Sequence, residues 1–177
     1  MRKGLCCLYF ISLIIFSACA PSVVPKELKK SINTKITISD VVKNFDKYKE
    51  KMVLWGGKIL RVVNKKEGTM IEVLQLPLDR NKRPKDVDIS GGRFLVIHSG
   101  FLDGAIYRPG RDITVVGRIC DIRKLPIGEI EYKYPVIKPK KIHLWKINPE
   151  EIKVYHEYPS YPCGYPYWWC PCCPYCW

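Results

Sequence analysis

An all-β fold, a small closed Greek-key barrel with one short helix before it and an extended tail after it, is what this chain predicts. Three observations carry that reading. The length, 177 residues, allows one domain of ordinary size and a single core. Between residues 52 and 147 the chain breaks into short runs rich in β-branched and aromatic residues, separated by glycine, proline and charged clusters. Those runs come as three strands, a short turn, and then two or three strands, which is the element order of an OB-type barrel. With 47% hydrophobic and 27% charged residues, wholesale disorder is excluded. Thirty Lys plus Arg against 17 Asp plus Glu give a net charge of +13.

The elements follow in order from the amino terminus. Arg2 and Lys3 precede an apolar run from Leu5 to Phe16, broken by Ser12, and then the small residues Ser17 and Ala18. Residues 1–18 therefore read as a secretory signal. The run falls short of the roughly 20 residues a helix needs to cross the hydrocarbon core, and no later stretch is apolar enough to do so. Phe16-Ser17-Ala18-Cys19 resembles the lipobox of bacterial lipoproteins, and that resemblance implies acylation of Cys19 with diacylglycerol and, in Gram-negative species, a third acyl chain. Two or more chains suffice for stable anchoring. Ala20, where an Asp would hold such a protein in the inner membrane, resembles an outer-membrane address. Ala18-Cys19-Ala20 also matches the A-x-A site of ordinary signal peptidase, which would release a soluble product. Cys6 and Cys7, inside the apolar run, read as filler of the signal.

Residues 19–35 are polar, carry Pro21 and Pro25, lack aromatics, and read as a tether. The ordered domain is expected over 36–148. Ser39 or Asp40 is expected to cap a short helix that places Val41, Val42, Phe45 and Tyr48 on one face. Met52 to Val63 is the first strand, with a bulge or bend at Gly56-Gly57. A turn over Asn64 to Gly68 leads to a second strand, Thr69 to Leu78, paired with the first. Residues 80–92 form a basic loop and Arg93 to His98 a third strand. Phe101 to Gly110 allows at most one helical turn before Pro109-Gly110 closes it. Asp112 to Ile122 is the fourth strand, Lys124 to Gly128 a turn, Glu129 to Ile137 the fifth, and Ile142 to Ile147 a sixth where one forms. Pro135 and Pro139 put the late strands at the barrel seam.

Several short words in this region, taken in order, carry a family resemblance. They are Trp55-Gly56-Gly57-Lys58-Ile59, Leu76-Pro77-Leu78-Asp79 followed by Arg83-Pro84, Gly92-Arg93-Phe94, Phe101-Leu102-Asp103, Gly110 to Gly117, and Glu131 to Val136. From the lipobox to about Trp145 the chain resembles the Slp (starvation lipoprotein) family of outer-membrane lipoproteins. The resemblance implies a small lipid-anchored envelope protein associated with stationary phase or stress, without an established reaction.

Catalytic chemistry is not written into the domain. The histidines are His98, His143 and His156, and none stands in a nucleophile or metal motif. His98 reads as a strand-end residue satisfied by backbone. Asp79, Asp86, Asp88 and Asp103 fall in turns, where Asp bonds locally. Gly56-Gly57 and Gly91-Gly92 lack the strand-to-helix setting of a phosphate loop. No catalytic residue, cofactor or metal is expected.

A basic OB-type barrel raises single-strand binding, but the exported location argues against nucleic acid. It favours the phosphates of phospholipid and lipopolysaccharide as polyanionic partners. Arg80, Lys82, Arg83 and Lys85 are the candidate anion-binding loop. Solvating surface charge is the plainer explanation of the same residues.

Residues 149–177 form the last segment. From Tyr155 onward they hold nine aromatics, five prolines and five cysteines, in an extended polyproline-like pattern. Cys163, Cys170, Cys172, Cys173 and Cys176 join Cys120 in an even set of six, and in an exporting compartment disulfides are the default. Cys173-Pro174-Tyr175-Cys176 with Cys170 and Cys172 also offers thiolates to zinc or copper, though without the long loop that usually separates two such pairs. Trp168, Trp169 and Trp177 suit a membrane interface.

Overall fold

The computed structural model describes residues 23–147. The chain divides into a unit ending at Trp145 and a second, Lys146–Trp177, of which the described part is its first two residues. Among the described residues no helix is long and apolar enough to cross a membrane.

Five strands make a closed barrel: β1 (Met52–Lys65), β2 (Gly68–Gln75), β3 (Gly92–His98), β4 (Asp112–Ile127) and β5 (Ile130–Leu144), in the order β1-β2-β3-β5-β4. β1 returns the sheet on itself because its first half pairs with β4 and its second half with β2. All pairings are antiparallel except β3 with β5, whose rungs Leu95↔Val136 and Val96↔Ile137 complete the circle. Pro135 and Pro139 flank these rungs, where β5 gains and then loses its second neighbour and a missing N–H is tolerated. This is the OB-type arrangement expected from the element order.

Alternation along the strands builds the core. Val53, Trp55, Ile59, Ile71, Val73, Phe94, Val96, Ile113, Val115, Ile119 and Ile137 point inward as one buried cluster. Trp55 meets Phe94 edge-on with ring centroids 5.5 Å apart, and its indole N–H donates to the Ile36 carbonyl at 3.0 Å. Two short helices, α1 (Ile38–Lys43) and α2 (Phe45–Tyr48), add Ile38, Val41, Val42, Phe45 and Tyr48 to that core. Leu102 and Tyr107, from the segment joining β3 to β4, pack on it as well.

Four local expectations need correction. The cap of α1 is Thr37 rather than Ser39 or Asp40: Asp40 N–H donates to Thr37 Oγ1 and Thr37 N–H to the Asp40 carboxylate, a reciprocal box. The Thr37 hydroxyl also donates to the Asp40 carboxylate at 2.7 Å, and that bond first, then the one from the Thr37 N–H, holds the Asp40 pKa below the usual carboxylate value. The irregularity in β1 lies between Ile59 and Arg61, while Gly56 continues the ladder with β4 and Gly57 the ladders with both β4 and β2. Lys124 to Ile127 is strand, not turn, and the reversal is confined to Gly128-Glu129, with Gly128 at φ 58. Pro126 fits because this part of β4 pairs only with β5 and leaves its other edge open. A separate sixth strand does not form, since β5 runs on to Leu144 opposite Ile113.

The hairpin of β4 and β5 bends at shifts of register between Val116 and Gly117 and between Ile119 and Asp121. Its far arm packs Leu125, Ile127 and Tyr132 around a second buried cluster of Met70, Leu95, Tyr134 and Val136 on the outer side of β2 and β3. A third cluster lies on the outer side of β1 and β4. There Val24, Leu28 and Ile32, from the segment read as tether, pack with Leu54, Val116, Met52 and Leu78. A 3-10 turn over Lys26–Leu28 and a parallel bridge from Ile32 to Met52 hold that segment on the sheet.

Candidate functional site

The outer surface of β2 and β3 is where OB-type barrels commonly take their ligands. Here the chain's own hairpin fills it. Glu72, 6% exposed on β2, stands among apolar neighbours and accepts from Arg93 Nη1 at 2.9 Å and from the Tyr134 hydroxyl at 3.0 Å. Arg61 Nη2 lies 3.4 Å from its other oxygen. Tyr132 meets Tyr134 edge-on at 4.9 Å, and its hydroxyl accepts from the Arg93 backbone N–H at 3.0 Å. The buried carboxylate is thus satisfied by cations and phenol, which is what makes its burial tolerable. The carboxylate beside it raises the Arg93 pKa, and burial first, then the bond to Glu72, raises that of Tyr134.

A tyrosine whose folded pKa lies above its unfolded value of about 10 contributes stability that is complete below that pH and lost as pH climbs through the folded value. Tyr134→Phe is therefore expected to lower stability by about 1 kcal/mol at neutral pH. It should also flatten the alkaline limb of a urea-midpoint titration, and an unchanged limb would remove Tyr134 from the network.

Beside this surface, Lys65, Glu67, Gly68, Thr69, Met70, Ile97 and Arg123 line a cleft of about 80 Å³ between the β1–β2 turn and β4. That holds a few waters, well below the several hundred Å³ of a small-molecule site. The Thr69 hydroxyl next to it is already engaged with Asn64 Oδ1, the Gly100 carbonyl and the Leu102 N–H.

The loop holding Arg80, Lys82, Arg83 and Lys85 is folded down on the sheet rather than extended. Lys82 takes φ 69, and its carbonyl accepts from Thr114 Oγ1 at 2.7 Å. Arg83 N–H donates to Asp79 at 2.8 Å, and its guanidinium donates from Nε and Nη2 to Asp112 at 3.2 Å and lies over the Trp145 ring. Arg83 is thereby committed to holding the loop. The side chains of Arg80, Lys82 and Lys85 form no ion pair among the described residues. Arg80 and Lys85 are exposed, and Lys82 is half-buried.

His98 sits at the end of β3, where its Nδ1 accepts from the Gly100 N–H at 2.9 Å. The Asp103 carboxylate closes a local turn by accepting from Ala105 N–H, and Asp86 pairs with Lys58 at 2.9 Å. No group of three or more His, Cys, Asp or Glu converges among the described residues. Cys120 is half-buried, its Sγ is 3.4 Å from the Val136 carbonyl, and burial pushes its pKa up, away from the reactive thiolate. Cys19, Cys163, Cys170, Cys172, Cys173 and Cys176 lie outside the described residues.

Sequence reasoning missed Glu72, Tyr134 and Trp145. A lone carboxylate in the apolar run Met70 to Leu74, at the parity opposite to Ile71 and Val73, was the available signal for the first.

Compared with known proteins, the chain matches the model of the outer membrane lipoprotein Slp family over residues 16–175. It is 33% identical over 95 residues to the outer membrane protein Slp of Escherichia coli K12, covering 53% of this chain and 50% of that protein. It is 34% identical over 98 residues to the uncharacterized lipoprotein YeaY of the same organism, covering 55% and 50%. The chain thus spans about half the length of the curated relatives it matches. Among solved structures it is similar to a small single-stranded DNA-binding protein from Streptomyces coelicolor, at 16% identity and a TM-score of 0.34 over 54% of this chain and 94% of that one.

Proposed function

We propose, from the premise that the chain belongs to the outer membrane lipoprotein Slp family, that it is a non-enzymatic protein of the Gram-negative envelope held to the outer membrane by acylated Cys19. One observation carries this reading: the family match begins at Phe16, the first residue of Phe16-Ser17-Ala18-Cys19, so lipobox and barrel fall inside a single family span. Relatives named as an outer membrane protein and as a lipoprotein support the location.

The barrel supports a structural or binding role rather than a catalytic one. Its β2–β3 surface is closed by Tyr132, Tyr134, Leu125 and Ile127, and a carboxylate lies beneath them. A nucleic-acid strand needs the reverse, exposed rings in a cationic groove.

Radiolabelled palmitate is expected to enter the wild-type protein and to be lost completely in Cys19→Ala. Equal labelling of both would remove the anchor, and release of the protein by washing without detergent would do the same.

A further inference from the structure

We infer that the outer face of β1 and β4 is the side on which this protein lies against the membrane, and that its partner there is an anionic phospholipid surface. The inference rests on the acylation of Cys19 proposed above and adds to it an orientation and a contact surface.

Val24 is 7% exposed and packs against Leu54 of β1 and Val116 of β4. It stands only five positions after Cys19. A fully extended chain covers at most about 3.6 Å per residue, so the lipid lies within about 18 Å of Val24. That is too short to pass around a barrel of this kind, whose diameter with side chains is of the same order. The membrane is therefore met by the face on which Val24 sits.

Met52, Leu54, Gly56 and Lys58 of β1 alternate with the inward residues, and they pair with Arg118, Val116, Thr114 and Asp112 of β4. The segment from Val24 to Ile32 covers one end of this surface. The loop after β2 covers the other: Leu78 joins the Val24 cluster, Lys82 is bonded to Thr114, Arg83 to Asp112, and Asp86 to Lys58. Two chain segments far apart in sequence thus lie together. Lys29, Lys30, Arg80 and Lys85 are exposed on them, and Lys82 is half-buried.

Val87 and Ile89, in the same loop, are 40% and 68% exposed. Exposed aliphatic residues next to unpaired cations fit an acidic interface, where the charges sit among phosphates and the apolar groups at the acyl boundary. Arg83 and Asp112 serve to fix the loop in place, which keeps Arg80 and Lys85 from folding away.

The test is a lysine acetylation footprint, read by mass spectrometry, of the full acylated protein in vesicles of phosphatidylglycerol and phosphatidylethanolamine, compared with the same protein in neutral detergent. Lys29, Lys30, Lys82 and Lys85 are expected to react roughly fivefold more slowly on the vesicles. Lys66, at the β1–β2 turn, and Lys133, on the far arm of the hairpin, are expected to keep their rates. Uniform rates at all six, or protection of Lys66 and Lys133 instead, would overturn the orientation while leaving the anchor intact.

Intact mass of the same sample reports the acyl chains separately. Should Cys19 carry none, the anchor fails on its own, and salt-sensitive binding of the unacylated chain to those vesicles, with the same four lysines protected, would still uphold the face; absence of such binding would reject it. A variant with Arg80→Gln, Lys82→Gln and Lys85→Gln, its fold checked by circular dichroism, should lose the protection of Lys29 and Lys30. Unchanged protection there would take the loop out of the contact.

Discussion

Phe94→Ala is expected to destabilise the barrel by about 4 kcal/mol, enough to leave a domain of ordinary stability close to unfolding. Phe94 is fully buried on β3 and presents its ring edge-on to Trp55, the largest residue of the interior. The void left by the ring has no way to collapse. Trp55 is fixed by the bond from its indole to the Ile36 carbonyl, and the strands on either side are tied into a closed circle. A helix pair can slide together over a lost side chain, whereas a barrel of five strands keeps its girth. Phe94→Leu, which keeps most of the volume, should lose less than half as much. Urea unfolding followed by tryptophan fluorescence measures both, and a loss below about 1 kcal/mol for the alanine variant would place Phe94 outside the core.

Much of this architecture is legible in the amino-acid order because the interior obeys a strict period of two. Ile71 and Val73, Phe94 and Val96, Ile113 and Val115 alternate with outward residues, and their spacing alone separates three strands. The hairpin of β4 and β5 is less legible for a definite reason. Its far arm carries Lys124, Pro126 and Gly128, which read as turn chemistry, yet Leu125 and Ile127 between them find Tyr132 and the β2–β3 surface to pack on. Tertiary burial overrides the local signal. The segment from Val24 to Ile32 behaves in the same way. Three apolar residues four apart in a polar context look like a linker until the sheet they cover is known.

Charges show the limit of sequence reading more sharply. Arg80, Lys82, Arg83 and Lys85 look alike along the chain, but Arg83 bonds a carboxylate 29 residues away and differs in role from its neighbours. Nothing local announces that partner. Glu72 is the converse case. Its position in an apolar run marks it as unusual, but the groups that make it tolerable, Arg93 and Tyr134, lie 21 and 62 residues further on. Ion pairing across a β topology depends on register, and register is set by the whole fold.

Gly57→Ala carries the second large expected effect, and it tests how β1 serves two neighbours at once. A strand glycine is commonly taken as a bend, but Gly57 is paired to Gln75 of β2 and Ile113 of β4 without any shift in register. What excludes a side chain is proximity. A methyl group there would sit 1.7 Å from the Leu74 carbonyl oxygen and 2.7 Å from its carbon. Both are backbone atoms of a paired strand, so relief requires β1 and β2 to part at the point where the barrel closes. Overpacking of a yielding core is worth about 1–3 kcal/mol, and an unyielding backbone puts this substitution at or above the upper figure. Gly104 provides the control, because a methyl group there meets no atom within 4 Å and its backbone is not left-handed. Gly104→Ala should change stability by less than about 0.5 kcal/mol. Thermal unfolding of the two variants side by side decides the matter. Equal melting temperatures would mean that β1 and β2 do not approach as closely at Gly57 as the barrel requires, and the closure through β1 would have to be abandoned.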